Sequence, residues 1–219
     1  MSEIKNGSID LIVGSPPYNI GTKYGEFGDK SSLDAFKDTL SKIYAECFRV
    51  LKDDGILIVE CADSVVSDKN YVQLTGYIQS LCVNLGLKLK ERHINFAYTE
   101  KGIEMPEHNW NPDYTTQKDA HSNCHQIIVM SKSKDVTFNP VGKIMYFNYT
   151  SVEGHPCPTP EGIYDFVLDN YFKKDMSVMD PFMGTAILGK EVLARDGQFY
   201  GYELDASIFK IAEKNLENK

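Results

Sequence analysis

The chain has 219 residues, 42% of them hydrophobic and 25% charged, the balance of an ordinary globule long enough to bury a core without disulfide or metal staples. Its 23 Lys+Arg stand against 31 Asp+Glu, a formal charge of −8, which argues against a uniformly basic surface that coats nucleic acid, though not against a local basic groove. Apolar runs such as Ile9–Val13 and Ile56–Val59 are far shorter than the ~20 residues of a membrane span. The first residues carry no basic patch followed by an apolar stretch, and the five cysteines (Cys47, Cys61, Cys82, Cys124, Cys157) contain no Cys-x-x-Cys pair. Reduced thiols, no membrane partner and a cytoplasmic location are therefore expected.

Ile9–Val13, ending at Gly14 and a Pro-Pro turn, reads as a strand buried on both faces. From Ser32 the apolar positions Leu33, Phe36, Leu40, Ile43, Tyr44, Cys47, Val50 and Leu51 recur at helical spacing until Asp53-Asp54-Gly55. Ile56–Cys61 is a second strand, and Leu74, Ile78, Leu81, Cys82 and Leu85 mark a second helix closed by Gly86. Leu87–Phe96 and Gln126–Ser131 are further strands, separated by a polar, Asn- and His-rich stretch long enough to be a functional loop. Lys143–Tyr149 reads as an edge strand. A helix follows, with Thr159 as N-cap and Pro160 in its first position. The last sixty residues repeat the rhythm: strand Met176–Asp180, helix Ala186–Arg195, strand Phe199–Glu203, and helix Ala206–Leu216 behind Asp205 as N-cap. About seven strands alternating with helices predict an α/β fold, a mostly parallel sheet with helices on both faces, in one domain spanning 1–219.

Two loops carry the chemistry. Ser15-Pro16-Pro17-Tyr18 follows a buried strand directly. Its prolines stiffen the backbone and remove donors, so carbonyl acceptors and an aromatic ring are left at the mouth of the sheet. A Ser hydroxyl and a Pro carbonyl can each accept a hydrogen bond from an exocyclic NH2, and Tyr18 can stack on the ring that bears it. Read alone, the same four residues are equally a plain turn ending a strand. The second loop is Asp180-Pro181-Phe182-Met183-Gly184-Thr185-Ala186, where Gly184 allows close backbone approach and the following helix start offers N–H groups to a carboxylate or phosphate. Glu203, some twenty residues on, suits the two hydroxyls of a ribose. The G-x-G-x-x-G pattern of nicotinamide enzymes is absent.

Together these residues resemble the β-class DNA amino-methyltransferases, which use S-adenosylmethionine. Ser15–Tyr18 looks like the family's catalytic Pro-Pro-Tyr loop. Asp180–Ala186 with Tyr200–Glu203 looks like its cofactor motif and acidic partner. His155-Pro156 and the helix after it match the segment the family places before that motif, and Gln126–Lys132 matches its late strand. Because the catalytic loop precedes the cofactor motif, the order is the circularly permuted one of the β class. Ala186 stands where the family usually has a second Gly, and only about twenty residues separate the late strand from His155, where relatives often insert a target-recognition region.

The resemblance implies a Rossmann-like methyltransferase fold. It assigns catalysis to Ser15, Pro16, Pro17 and Tyr18, and cofactor binding to Asp180, Pro181, Phe182, Met183, Gly184, Thr185, Ala186, Glu203, His155 and Pro156. A base leaves the DNA stack, and its amino group takes the methyl group directly. Ser rather than Asp in the first position favours cytosine 4-amino over adenine 6-amino methylation. A catalytically weak subunit that needs a partner is the reading from another class. DNA, with a homodimer mate or partner subunit, is the expected partner, and the loop at about 98–123 is the expected DNA contact; Trp110 within it suits a wedge at the nucleic acid, but an aromatic in such a loop more often packs locally. His121, Cys124 and His125, with His155 and Cys157 further on, lack the tight pairing of a zinc site, so no metal is expected. Lys88 and Lys90, or Lys132 and Lys134, suit either a phosphate groove or a solvated strand edge.

Overall fold

The computed structural model describes residues 1–24, 27–67, 70–98, 120–121, 124–148 and 159–217. The elements in chain order are β1 (Ile9–Gly14), β2 (Lys23–Tyr24), β3 (Phe27–Gly28), α1 (Leu33–Val50), β4 (Leu51–Ala62), β5 (Val65–Ser67), β6 (Asn70–Val72), α2 (Leu74–Asn84), β7 (Lys88–Tyr98), β8 (Ala120–His121), β9 (Cys124–Ser131), β10 (Ile144–Asn148), α3 (Glu161–Tyr171), β11 (Ser177–Asp180), α4 (Ile187–Ala194), β12 (Gln198–Gly201) and α5 (Ala206–Glu217). A seven-stranded sheet runs β10-β7-β9-β4-β1-β11-β12. Only β9 lies antiparallel to its neighbours.

Strand alternation divides the core. Ile12, Leu57, Val59, Cys61, Ile128 and Met130 face α1 and α2. Leu11, Val13, Ile58, Ile127, Val129 and Val178 face α3 and α4. The helices thus cover both faces, as the buried β1 pattern requires. Burial pushes the thiols of Cys47, Cys61 and Cys82 up, so these cysteines are protonated core fillers.

Several boundaries differ from the sequence reading. Ser32 does cap α1, its hydroxyl accepting from Ala35 N–H at 3.3 Å, but the helix ends at Val50 and β4 begins at once. The register against β1 slips between Ile9 and Leu11, so Asp53-Asp54-Gly55 is an irregularity inside a strand and not a helix stop. The cap of α3 is Pro160, which makes no side-chain bond there, so Thr159 falls one residue short of the predicted role. β12 stops at Gly201, leaving Glu203 in the turn beyond the strand. The hairpin β2-β3 and the three-stranded sheet β6-β5-β8 have strands of two or three residues, too short for periodicity to register.

Lys88 and Lys132 sit where β7 begins and β9 ends, at the sheet edge opposite the motif loops. Lys132 Nζ donates to the carbonyls of Phe48 (3.2 Å) and Leu51 (3.0 Å) and lies over the Phe48 ring, while Lys88 reaches the Lys134 carbonyl. Lys132 closes the end of α1 and the start of β4, Lys88 closes a turn, and neither stands at the motif edge. No helix among the described residues is long and apolar enough to cross a membrane.

Ile58 is fully buried in the strand between β1 and β9. Ile58→Ala is expected to cost about 2–5 kcal/mol, read in calorimetry as a Tm lowered by roughly 2–4 °C for each kcal/mol.

Candidate active site

β1 and β11 run parallel and adjacent, Leu11 opposite Val178 and Ile12 opposite Met179, so the loops that follow them leave the same edge of the sheet side by side. Their contact is tight at one residue. A Cβ on Gly14 would stand 3.1 Å from Asp180 Oδ1 and Pro181 Cδ and 3.2 Å from Phe182 Cδ2, so a side chain here would require these second-motif side chains to shift by a few tenths of an ångström.

Ser15, Pro17 and Tyr18 are half-buried and Pro16 is buried, which leaves a polar and aromatic rim above a closed floor. Tyr18 is held from the neighbouring strands: Ala62 N–H, at the end of β4, donates to its hydroxyl at 3.1 Å. Its ring meets that of His125 edge-on, with centroids 6.2 Å apart and planes at 67°. Sequence reasoning passed over the next residue, Asn19. Asn19 is fully buried with φ of 59°. Its Nδ2 donates to Ser31 O (3.0 Å) and Ser67 Oγ (3.1 Å), and its Oδ1 accepts from Ser31 N–H at 2.7 Å. Lys30 Nζ and Ser67 Oγ both donate to its carbonyl. A positive φ favours Gly or Asn, and Asn immediately after the Pro-Pro-Tyr turn was the signal available to find it.

The second loop is a chain of backbone bonds. Phe182 N–H donates to Asp180 Oδ1 at 2.8 Å, Tyr202 N–H to Asp180 O at 3.0 Å, Met183 N–H to Tyr202 O at 3.0 Å and Ala186 N–H to Met183 O at 2.8 Å. Gly184 has φ of 51°. Pro181, Thr185 and Ala186 are buried, and Phe182 is half-buried. Ala186 is the N-cap of α4 in a left-handed conformation, φ 59° and ψ 35°, with no side-chain cap bond, which explains in backbone terms why a glycine suits this position. Glu203 is half-buried, its Oε1 accepting from Asp205 N–H at 2.8 Å, while Asp205 Oδ1 caps α5 through Ser207 and Ile208 N–H.

Asp180 is the electrostatic centre. Burial raises its carboxyl pKa from 3.8 to about 7, opposed by the Phe182 N–H bond and reinforced by Glu203. Tyr164 of α3 lies close beneath. Burial first and Asp180 second push its phenol up, and it bonds to Thr159. His155 and Pro156 lie outside the described residues, as do Trp110 and nearly all of the 98–123 loop. The His125 imidazole bonds to Glu60 at 2.7 Å, and among the described residues no group of three His, Cys, Asp or Glu could hold a metal ion.

A DNA methylase family model, that of the N6 and N4 methyltransferases, matches residues 9–214. The chain belongs to this DNA methylase family. Among its relatives, the DNA adenine methyltransferase YhdJ of Escherichia coli is 26% identical over 99% of this chain and 79% of that protein. The type II methyltransferase M.HpaI of Haemophilus parainfluenzae is 22% identical over 100% of this chain and 71% of its own length. Two solved structures share the fold: the putative DNA modification methylase TTHA0409 of Thermus thermophilus in complex with S-adenosyl-L-methionine (TM-score 0.70, 20% identity, 98% of this chain and 88% of that one), and the cytosine-N4-specific PvuII DNA methyltransferase (TM-score 0.70, 15% identity, 100% and 89%). The DNA methylase fold and the permuted element order expected from the sequence are therefore correct.

Two outcomes follow for this DNA methylase. Asn19→Ala loses about 2–4 kcal/mol in urea unfolding through its lost hydrogen bonds, and Asn19→Gly loses about 1 kcal/mol less because Gly accepts the positive φ. Asp180, with its folded pKa raised, holds a proton that the unfolded chain has released, so its penalty is absent below about pH 4, grows between about pH 4 and 7, and is complete above. That penalty is on the order of 4 kcal/mol at most. Asp180→Asn keeps an acceptor for Phe182 N–H and removes this loss, which pH-dependent unfolding curves will show as a flatter profile.

Proposed function

We infer that this DNA methyltransferase moves a methyl group from S-adenosylmethionine to the exocyclic amine of a base lifted out of the DNA stack, cytosine N4 in preference to adenine N6. The observation that carries this reading is the packing of Gly14 against Asp180, Pro181 and Phe182, which sets an amine-gripping loop and a cofactor-type loop in van der Waals contact.

The residues present suit the donor. Asp180 is buried with its pKa raised, so a cationic ligand beside it recovers ionisation free energy. Glu203 suits ribose hydroxyls, the Gly184–Ala186 turn at the start of α4 suits a carboxylate, and His155 and Pro156 are proposed to complete the site. When bound, S-adenosylmethionine supplies an electrophilic methyl carbon on a sulfonium.

Ser15 Oγ and the Pro16 carbonyl accept hydrogen bonds from the target NH2. This favours a pyramidal nitrogen and concentrates its lone pair, which in a free base is delocalised into the ring. Tyr18 replaces the stacking that the base gives up on leaving the duplex, a cost of a few kcal/mol. Alignment alone supplies about 7–11 kcal/mol of barrier reduction, and no strong base is needed, because the amine becomes acidic only as it gains the methyl group.

Ser15 in the first motif position supports cytosine. The resemblance to the adenine enzyme YhdJ supports the second reading, adenine N6. DNA incubated with the protein and S-adenosylmethionine, digested and analysed by mass spectrometry, is expected to contain N4-methylcytosine. The Ser15→Ala, Tyr18→Ala double variant is expected to lower the yield by at least 100-fold. Methyladenine alone overturns the cytosine preference. Calorimetry that detects no binding of S-adenosylmethionine overturns the enzyme reading in favour of a partner-dependent subunit. In the same calorimetry, binding below pH 7 is expected to release a proton from Asp180, seen as heats that vary with buffer ionisation enthalpy, and Asp180→Asn abolishes that dependence.

A further inference from the structure

Glu60 and His125 take no part in the chemistry inferred above, yet they form a closed pair at its border. Both are buried, at 4% and 5% exposure, and His125 Nδ1 lies 2.7 Å from Glu60 Oε1. Glu60 continues the β4 face of Ile58, and His125 continues the β9 face of Ile127, so the pair sits on the α3 side of the sheet at the edge where the Pro-Pro-Tyr loop begins. Polar side chains are costly in such a place unless something is gained from their geometry.

That geometry leads to Tyr18. Ala62 and His125 are direct cross-strand partners, and this one pair touches Tyr18 twice: Ala62 N–H holds its hydroxyl at 3.1 Å, and the His125 ring meets its ring edge-on. A tyrosine held by its hydroxyl alone still turns about the axis from Cβ to the oxygen. An edge-on neighbour removes that freedom. The neighbour must itself be fixed, and Glu60 does this, because turning the imidazole over would set a carbon in place of Nδ1 against the carboxylate.

We propose that His125, locked by Glu60, is a positioning residue that sets the plane of the Tyr18 ring and hence the slot in which the target base stacks. The proposal rests on Tyr18 being the stacking residue. An edge-to-face contact of this kind shifts a ring's orientational population by roughly two- to tenfold.

Two variants separate the ring from the charge. His125→Gln keeps a donor for Glu60 and removes the ring, while the Glu60→Leu, His125→Phe double variant keeps a ring and removes the buried pair, a replacement that folded proteins accept. Each is assayed for kcat, for the KM of S-adenosylmethionine, and for hydrogen exchange at the Ala62 amide, with Tyr18→Phe as the reference for a lost bond. His125→Gln is expected to lower kcat about tenfold at unchanged cofactor KM while the Ala62 amide stays protected, because rotation of the ring about the axis from Cβ to the oxygen leaves the hydroxyl bond in place, unlike Tyr18→Phe. The double variant is expected to stay within about threefold of wild type in kcat, with Ala62 still protected. Wild-type kcat in His125→Gln, or a double variant as slow as His125→Gln, overturns the proposal. A wild-type protein that leaves DNA unmethylated defeats the proposed function instead, and the flip rate of the Tyr18 ring, read from NMR line shapes in wild type and His125→Gln, still decides whether His125 holds its plane.

Discussion

Parallel pairing of β1 with β11 is the constraint from which the rest of the site follows. Parallel strands bring their C-terminal ends to one edge, so segments more than 160 residues apart in sequence are delivered to the same place. The approach is closed by a missing side chain. With a Cβ at position 14, the carboxylate of Asp180 and the ring of Pro181 would have to give by a few tenths of an ångström, at the point where the loop proposed to hold the amine meets the loop proposed to hold the donor. A methyl transfer in which alignment supplies most of the rate enhancement tolerates little such displacement.

Much of this was legible in the sequence because it is carried by long periodic elements and by residue types with a single physical use. The apolar run Ile9–Val13 and the helical spacing from Leu33 to Val50 are tertiary decisions written locally: one element is buried on both faces, the other on a stripe. The Pro-Pro-Tyr and Asp-Pro-Phe-x-Gly turns read correctly as loops at strand ends. What escaped depended on contacts far apart in the chain. Nothing near residue 51 announces that β4 starts there, since that stretch is extended only because Ile9 pairs with Leu51. Asn19 reads as an ordinary turn residue until Ser31 and Ser67 close around its amide. Lys88 and Lys132 carry the same charge wherever they fall, and only the register places them at the far edge, where Lys132 closes α1 and β4.

Some of the molecule's unfavourable terms lie at the two loops, while Asp175 and Asp196 take positive φ away from them. Asn19 and Ala186 sit at positive φ, Asp180 is desolvated, and a Glu–His pair is buried beside Tyr18. Each costs free energy in the protein alone, and each lies within the motif loops or against them. Such clustering is how folded chains keep a site ready for a ligand and not for minimum energy. The sign of the electrostatic term specifies the ligand further. A buried carboxylate that is reluctant to ionise gains most from a positive charge, whereas an anionic ligand would raise its pKa further. Asp180, the first residue of the second loop, therefore suits a cationic ligand better than an anionic one.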